Sequence, residues 1–261
     1  ICEDAWRELR PASSFCSRGV ELILNPSASH FAFGKSLVRE KIVIESSKKF
    51  HCAFMMVNQL GNEAGKVIYD GDILLAVKGK LLIRNPRLSF HPSIVQVAEI
   101  DFDQVSTVEP EPDELNDPRE EFAQAASLAL FDYLRKSKAR GYTLSLSGGA
   151  DSSCCAVLVS EAMNRASDEL GWKSFWESLP AVAGHLQEKP TNLKDSVSLI
   201  LNCAYQSTVN SSAETNASAS LLAESIGAKF FSWSVDDQVS AYTQIVQEAI
   251  GRTLNWTQDD V

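Results

Sequence analysis

The chain has 261 residues, enough for one large domain or two ordinary ones, and its 44% hydrophobic and 22% charged content is that of a globular protein with a packed core. A net charge of −10 excludes a surface built to attract nucleic acid or anionic membrane, no apolar run is long enough to cross a bilayer, and no basic-then-apolar signal opens the sequence. Six cysteines (Cys2, Cys16, Cys52, Cys154, Cys155 and Cys203) form neither a CxxC pair nor a secreted disulfide framework, and the four histidines lack metal-ligand spacing, so no zinc site is expected and the cytoplasm is the default expectation.

In chain order, short runs of β-type residues predict strands at Val20–Leu24, Cys52–Val57, Val67–Tyr69, Ile73–Val77, Leu81–Arg84 and Ile94–Ile100. The middle ones are separated by Gly-Asp or Gly-Lys turn signals, and a helix is predicted over Leu37–Phe50, so the first part of the chain is mixed α and β. Residues 108–120 are acidic, proline-bearing and poor in apolar side chains, the composition of a solvated connector. Beyond it the pattern becomes a regular alternation. Phe122, Ala125, Ala126, Ala129, Leu130, Tyr133 and Leu134 share one helical face. A strand (Tyr142–Leu146), a helix from Asp151, a buried strand (Leu199–Tyr205) and a helix over Ser212–Ile226 follow, the last with the capping-box spacing Ser211-x-x-Glu214. A strand (Lys229–Val235) and a helix with Val239, Tyr242, Val246, Ala249 and Ile250 on one side complete the run. This alternation predicts a doubly wound parallel sheet whose ligands sit at the carboxyl ends of its strands. Residues 166–195 interrupt it with Trp172, Trp176, two prolines and a glycine, and read as an inserted lid or interface segment.

The most specific run is Ser147-Gly148-Gly149-Ala150-Asp151-Ser152-Ser153, placed after a predicted strand and before a predicted helix. Adjacent glycines let the backbone turn sharply and bring N–H groups against phosphate oxygens. The helix start adds unpaired N–H groups and a positive dipole end, and Ser147, Ser152 and Ser153 add hydroxyl donors. An acid amid phosphate ligands is repulsive unless a cation lies between, which makes Asp151 a candidate Mg²⁺ ligand. The plainer alternative is an ordinary Gly-Gly turn capped by Asp151 or Ser152. At roughly 7% frequency per fixed position, Ser-Gly-Gly-x-Asp-Ser arises by chance only ~10⁻⁴ to 10⁻³ times in a chain this long.

The run resembles the pyrophosphate-binding loop of N-type ATP pyrophosphatases, and it is no P-loop kinase motif because no Gly-Lys-Ser/Thr follows. Within that superfamily the resemblance is to NAD synthetases, and it takes in residues 132–146, 208–215 and 255–261. It implies an adenine nucleotide alpha hydrolase-like, Rossmann-like domain that adenylates the carboxylate of deamido-NAD with ATP and Mg²⁺ and lets ammonia displace AMP. It also places the loop near Tyr205 and Gln206 beside the adenine, the alternative being simple loop chemistry.

Cys2 stands in Ile1-Cys2-Glu3-Asp4-Ala5-Trp6, followed by Leu22–Ser29 and a Gly34-Lys35 pair. A cysteine alone is more often a small buried hydrophobe than a nucleophile. Together these pieces resemble the nitrilase-type glutaminase domain at the front of glutamine-dependent NAD synthetases. That resemblance implies Cys2 as nucleophile toward the glutamine amide. It also implies Glu3 beside the nucleophile and Ser29 and Lys35 at the glutamine α-groups. Lys35 stands where related enzymes often carry arginine, whose bidentate fork a lysine lacks. A capped turn and a solvated lysine are the plainer alternatives for Ser29 and Lys35.

The expected organisation is the C-terminal part of a nitrilase-like α-β-β-α glutaminase domain at 1–107, an acidic linker at 108–120, and the N-terminal part of the ATP pyrophosphatase domain at 121–261. Both ends look cut from something longer. The family's general-base glutamate and oxyanion lysine lie upstream of the cysteine, where only Ile1 stands, so the isolated chain is expected to be nearly inactive. The implied partners are the small molecules deamido-NAD, ATP and glutamine together with a second copy of the chain in a homo-oligomer, with no nucleic acid and no membrane. Alternatives are another amidotransferase built on the same loop, or an inert scaffold that keeps the fold.

Overall fold

Five consecutive apolar residues, Ile73–Val77, form a strand buried at every position, which requires cover on both faces of its sheet. In the computed structural model, which describes residues 2–102, 117–255, 257 and 259, it is one of the two central strands of a four-stranded mixed sheet. The strands are β1 (Leu22–Ser27), β2 (Ala53–Asn58), β3 (Leu60–Asn62), β4 (Ile68–Asp70), β5 (Ile73–Val77) and β6 (Lys80–Arg84). The sheet order is β1-β2-β5-β6, with β1 and β2 parallel and the other pairs antiparallel, while β3 and β4 form a separate hairpin. Helix α1 (Ala12–Cys16) is a short turn, and α2 (Lys35–Phe50) supplies Ile42 and Val43 to a core with Phe54, Met56, Leu74 and Ala76. The alternate residues Ala53, Ile73, Leu75, Val77 and Ile83 face the other way, where Ile94, Ile100 and Phe102 cover them.

The strand expected over Ile94–Ile100 is not formed. The segment is irregular chain in which Val95 and Val97 are 81% and 90% exposed, so it covers the sheet through isolated side chains rather than joining the ladder.

Most of the acidic connector, residues 108–116, lies outside the described residues. Its end is helix: Asp117 caps α3 (Pro118–Ser137) by accepting the Arg119 N–H at 2.9 Å, with proline at the first helical position. The structure divides into two compact units, one of Ile1–Ala139 with Glu161–Lys189 and one of Arg140–Ser160 with Pro190–Val261. In the first unit α3 packs on β3, and Phe131 meets Phe90 edge to face at 5.6 Å and Phe175 at 5.7 Å. Phe175 and Trp176 belong to α4 (Ala150–Ser178), whose helical backbone breaks at Gly171 (φ 70°, ψ 152°). The segment 166–195, expected as an inserted lid or interface, is mostly helix with a buried aromatic face, completed by α5 (Pro180–Ala183). Trp176 is buried in the first unit's core, and half-buried Trp172 packs edge-on against Phe175.

In the second unit β7 (Tyr142–Ser145), β8 (Leu201–Ser207) and β9 (Lys229–Ser234) form the expected parallel sheet, in the order β7-β8-β9. The helices in sequence between and after them are α4, α6 (Leu193–Ile200), α7 (Ala213–Ile226) and α8 (Asp236–Ile250). The cap of α7 is Ser212, which accepts the Thr215 N–H at 3.3 Å; Ser211 instead accepts the Thr208 N–H at 3.0 Å, one residue off the predicted capping box. No helix among the described residues is long and apolar enough to cross a membrane.

Candidate functional site

The glycine loop lies at the carboxyl end of β7. Leu146 is buried and donates its N–H to the Ala204 carbonyl at 2.8 Å, after which the chain turns into α4 within three residues. Gly148 makes the turn at φ 81°, where a Cβ would lie 2.3 Å from the Thr215 carbonyl oxygen, so only glycine fits. Gly149 is unconstrained by the fold: its Cβ would meet only the Ser147 hydroxyl, at 3.4 Å. The Ser147 and Ser152 hydroxyls lie 3.1 Å apart, the Gly149 N–H donates to Ser147 Oγ at 3.3 Å, and the Ser153 N–H donates to the Gly149 carbonyl at 3.1 Å. Ser147, Gly149 and Asp151 are exposed, and Gly148, Ser152 and Ser153 are half-buried. The result is an open rim of backbone and hydroxyl donors on the N-terminus of a long helix, with Asp151 in its first turn.

Tyr205, expected at the end of its strand, and Gln206, expected near the loop that follows, both lie within β8. Tyr205 is buried and bonds Thr215 Oγ1 through its hydroxyl at 2.7 Å. Gln206 is exposed near the carboxyl end of the strand and accepts the Ser145 hydroxyl at 3.2 Å, so the structure brings it to the edge that carries the glycine loop. The loop proper starts at Thr208 and is tied to the α8 start, where Asp236 accepts the Val209 N–H at 2.9 Å and the Ser234 hydroxyl at 2.6 Å. The Ser234 hydroxyl, followed by the Val209 N–H, holds the Asp236 carboxyl below its usual range. Of residues 255–261, only Asn255, Thr257 and Asp259 are described; Asp259 pairs with Arg252, which holds its carboxyl down at about 2.

In the first unit, Cys2 opens a 3₁₀ turn (Cys2–Trp6) at the left-handed φ of 46°. Its N–H donates to Asn25 Oδ1 at 3.0 Å, and the Ser27 hydroxyl donates to the same oxygen at 2.9 Å. Asn25 is 5% exposed on β1, so the strand anchors the cysteine backbone. Glu3 points into solvent in an ion pair with Arg7. Beside this turn is a cavity of about 250 Å³ lined by residues that include Asp4, Arg10 and Asn25.

Ser29 is buried, and its backbone is held at both ends by Asn58, which accepts the Ser29 N–H at 2.8 Å and donates to the Ser29 carbonyl at 2.8 Å. Arg39 donates to the same carbonyl at 3.2 Å and to Asp70 at 2.7 Å, and also pairs with Asp72. Asn58 donates in turn to Asp70 at 2.7 Å, and the Ser36 hydroxyl donates to Asp72 at 3.0 Å. Burial, then the Asp70 charge, pushes the Asp72 carboxyl up to about 6 against the pull of Arg39. Lys35 is the first residue of α2, an unfavourable end for a cation. Its ammonium donates to the His30 carbonyl at 3.0 Å and lies 5.6 Å from the centre of the Trp6 ring. Burial, then Arg39, lowers its pKa, opposed by Asp70 and Cys2.

Reasoning from sequence missed Asn25, Arg39, Asn58, Asp70 and Asp72. The one available signal is Asp70-Gly71-Asp72 abutting a wholly apolar strand, a pattern that by itself indicates a turn. Among the described residues no group of three or more metal-ligating side chains is assembled. A single carboxylate, Asp151, beside donors for phosphate still fits Mg²⁺, which commonly takes one or two protein carboxylates and completes its shell with phosphate oxygens and water.

A parallel α/β sheet with a glycine loop at its carboxyl edge defines the class of α/β proteins that bind ligands outside the strand ends. Residues 122–258, more than half of the chain, match the family model of NAD synthase, and the chain belongs to that family. It is 25% identical over 292 residues to the glutamine-dependent NAD(+) synthetases of Macaca fascicularis and Homo sapiens, covering 97% of this chain and 41% of each relative. A crystal structure of a glutamine-dependent NAD(+) synthetase from Cytophaga hutchinsonii superposes with a TM-score of 0.80 at 44% identity, over 94% of this chain and 41% of that one. A glutamine-dependent NAD+ synthetase from Acinetobacter baumannii in complex with ADP shares the fold, with a TM-score of 0.73 at 21% identity over 98% of this chain. The chain thus spans about 41% of the length of the curated relatives it matches.

Proposed function

We propose that the complete reading frame carrying this chain encodes a glutamine-hydrolysing NAD synthetase. One observation carries the reading: a chain of the NAD synthase family holds, in one sequence, the glycine loop at 147–149 and the Cys2, Ser29 and Lys35 set in a separate folded unit. The modules we assign are a glutaminase part at 1–107, an acidic linker at 108–120 and a synthetase part at 121–261. In the glutaminase, the Cys2 thiolate attacks the glutamine amide carbon, ammonia leaves, and water hydrolyses the thioester to glutamate. Ser29 and Lys35 hold the glutamine α-groups.

In the synthetase, the nicotinate carboxylate of deamido-NAD attacks the α-phosphorus of ATP and releases pyrophosphate. Ammonia then attacks the activated carbonyl and AMP leaves. The N–H groups of Gly148 and Gly149 and the hydroxyls of Ser147, Ser152 and Ser153 hold the phosphates, and Gln206 lies beside the adenine. Asp151 would hold Mg²⁺, which supplies charge neutralisation on the phosphates. We assign the enzyme to the cytoplasm as a homo-oligomer; the exposed apolar side chains Val239, Tyr242 and Ile245 on α8 support an apolar partner for that helix.

The test is Cys2→Ala in the complete reading frame. Glutamine-dependent synthesis should vanish, because no other atom forms the thioester, while synthesis from excess ammonium salt persists near the parent rate. Loss of both activities in a folded variant would overturn the assignment of Cys2 as a separable nucleophile.

A further inference from the structure

Three ionisable side chains, Arg39, Asp70 and Asp72, are fully buried together in the first unit, at 0% exposure each. A buried ion cluster of this kind is weak as a source of stability, because desolvation offsets most of the attraction and apolar side chains of similar volume often serve as well. This one also leaves Arg39 Nε, a buried donor, with no partner among the described atoms. Its arrangement is informative in another way. Arg39 grips the Ser29 carbonyl at 3.2 Å through Nη2 and Asp70 at 2.7 Å through Nη1. Asp70 orients Asn58, which clamps both backbone groups of Ser29. Asp72, gripped by Arg39 as well, accepts the hydroxyl of Ser36, the neighbour of Lys35 in the first turn of α2. The segment from Ser29 to Ser36 is thus fixed at both ends by one cluster.

We propose that Arg39, acting through Asp70, Asp72 and Asn58, is a positioning residue that sets the spacing between Ser29 and Lys35, and so the affinity of the subsite for the α-amino and α-carboxylate groups of glutamine. This rests on the glutaminase reading above. A guanidinium suits the task because its rigid fork reaches two carboxylates and a carbonyl at once; a lysine ammonium keeps the charge but not the span.

The experiment uses the complete reading frame with Arg39→Lys. Glutamine KM should rise about tenfold or more while kcat changes less than about threefold, the signature of lost ground-state binding. Alkylation of Cys2 by iodoacetamide, followed on the Cys2 peptide, gives a second reading: the L-glutamate concentration that protects Cys2 should rise by a similar factor. If Arg39→Lys does not fold, Ser36→Ala, which cuts only the tie from α2 to Asp72, decides the matter with a smaller KM increase in the same direction. A folded variant with unchanged glutamine KM and unchanged protection, or with kcat falling in place of KM, overturns the proposal. Failure of the glutaminase reading is separable, since L-glutamate would then give no protection of Cys2 in the parent protein.

Discussion

The two loop glycines make different demands, and this separates folding from phosphate binding. At Gly148 a methyl group would lie 2.3 Å from the Thr215 carbonyl at φ 81°. The left-handed conformation alone costs about 1–2 kcal/mol for alanine. Restoring a 3.0 Å approach means moving the first turn of α7 by about 0.7 Å, an overpacking strain of roughly 1–3 kcal/mol. That shift also loads the Ser212 cap and the 2.7 Å bond between Tyr205 and Thr215. Gly148→Ala should therefore destabilise the protein by about 2–5 kcal/mol, read as an earlier urea midpoint. Gly149→Ala meets nothing closer than 3.4 Å, so its stability should stay within about 1 kcal/mol of the parent. If phosphate packs against that backbone, the same methyl group stands where an oxygen must sit, and the KM for ATP in ammonia-dependent synthesis should rise at least about tenfold. A folded Gly149→Ala variant with parental KM for ATP would refute the backbone cradle, and an unaltered urea midpoint in Gly148→Ala would refute the steric argument.

Asp151→Ala should abolish synthesis from both glutamine and ammonium, since metal stabilisation of phosphate charge is worth several kcal/mol; normal synthesis at ordinary Mg²⁺ would remove Asp151 from the site. Asp72, raised from 3.8 to about 6, holds a proton in the folded chain that the unfolded chain releases between about pH 4 and 6. Its contribution to stability is therefore full below about pH 4 and lost as pH rises through about 6, by roughly 3 kcal/mol at most. Urea midpoints of the parent should fall relative to Asp72→Asn over that window, and a relative rise would contradict the assignment.

The sequence shows what contiguous residues build. The glycine loop was legible as a strand-to-helix turn because a turn this tight needs glycine at φ 81°. The strands at 53–58, 73–77 and 80–84 were legible because period-two or fully apolar runs have few other uses. The cluster around Ser29 was not: Arg39, Asn58, Asp70 and Asp72 come from a helix, two strand ends and a turn. Each of these polar residues has an ordinary solvent-exposed reading until the fold brings them together. Ile94–Ile100 and the tryptophans of 172–176 failed for the converse reason. Apolar residues there serve a core whose other half lies far away in sequence, so local pattern carried no information about their partners.

The same long-range packing bears on how the chain is organised. The family match begins at residue 122, yet within the first unit α3 and the later part of α4 are held by residues 61–91. Arg87 meets Glu121 at 2.7 Å with both side chains nearly buried, and the Asn62 N–H donates to the fully buried Asp132 at 2.8 Å. The Phe90 N–H donates to Glu169 at 3.1 Å, and the Phe90 ring meets Phe131 edge to face. Taking away one partner of a buried charged pair leaves the other uncompensated, a penalty of about 3–5 kcal/mol on the scale of measured cases. Stability of that size is a large share of what a domain has in total. Within the first unit, the helices that follow the connector therefore complete a core begun by the residues that precede it.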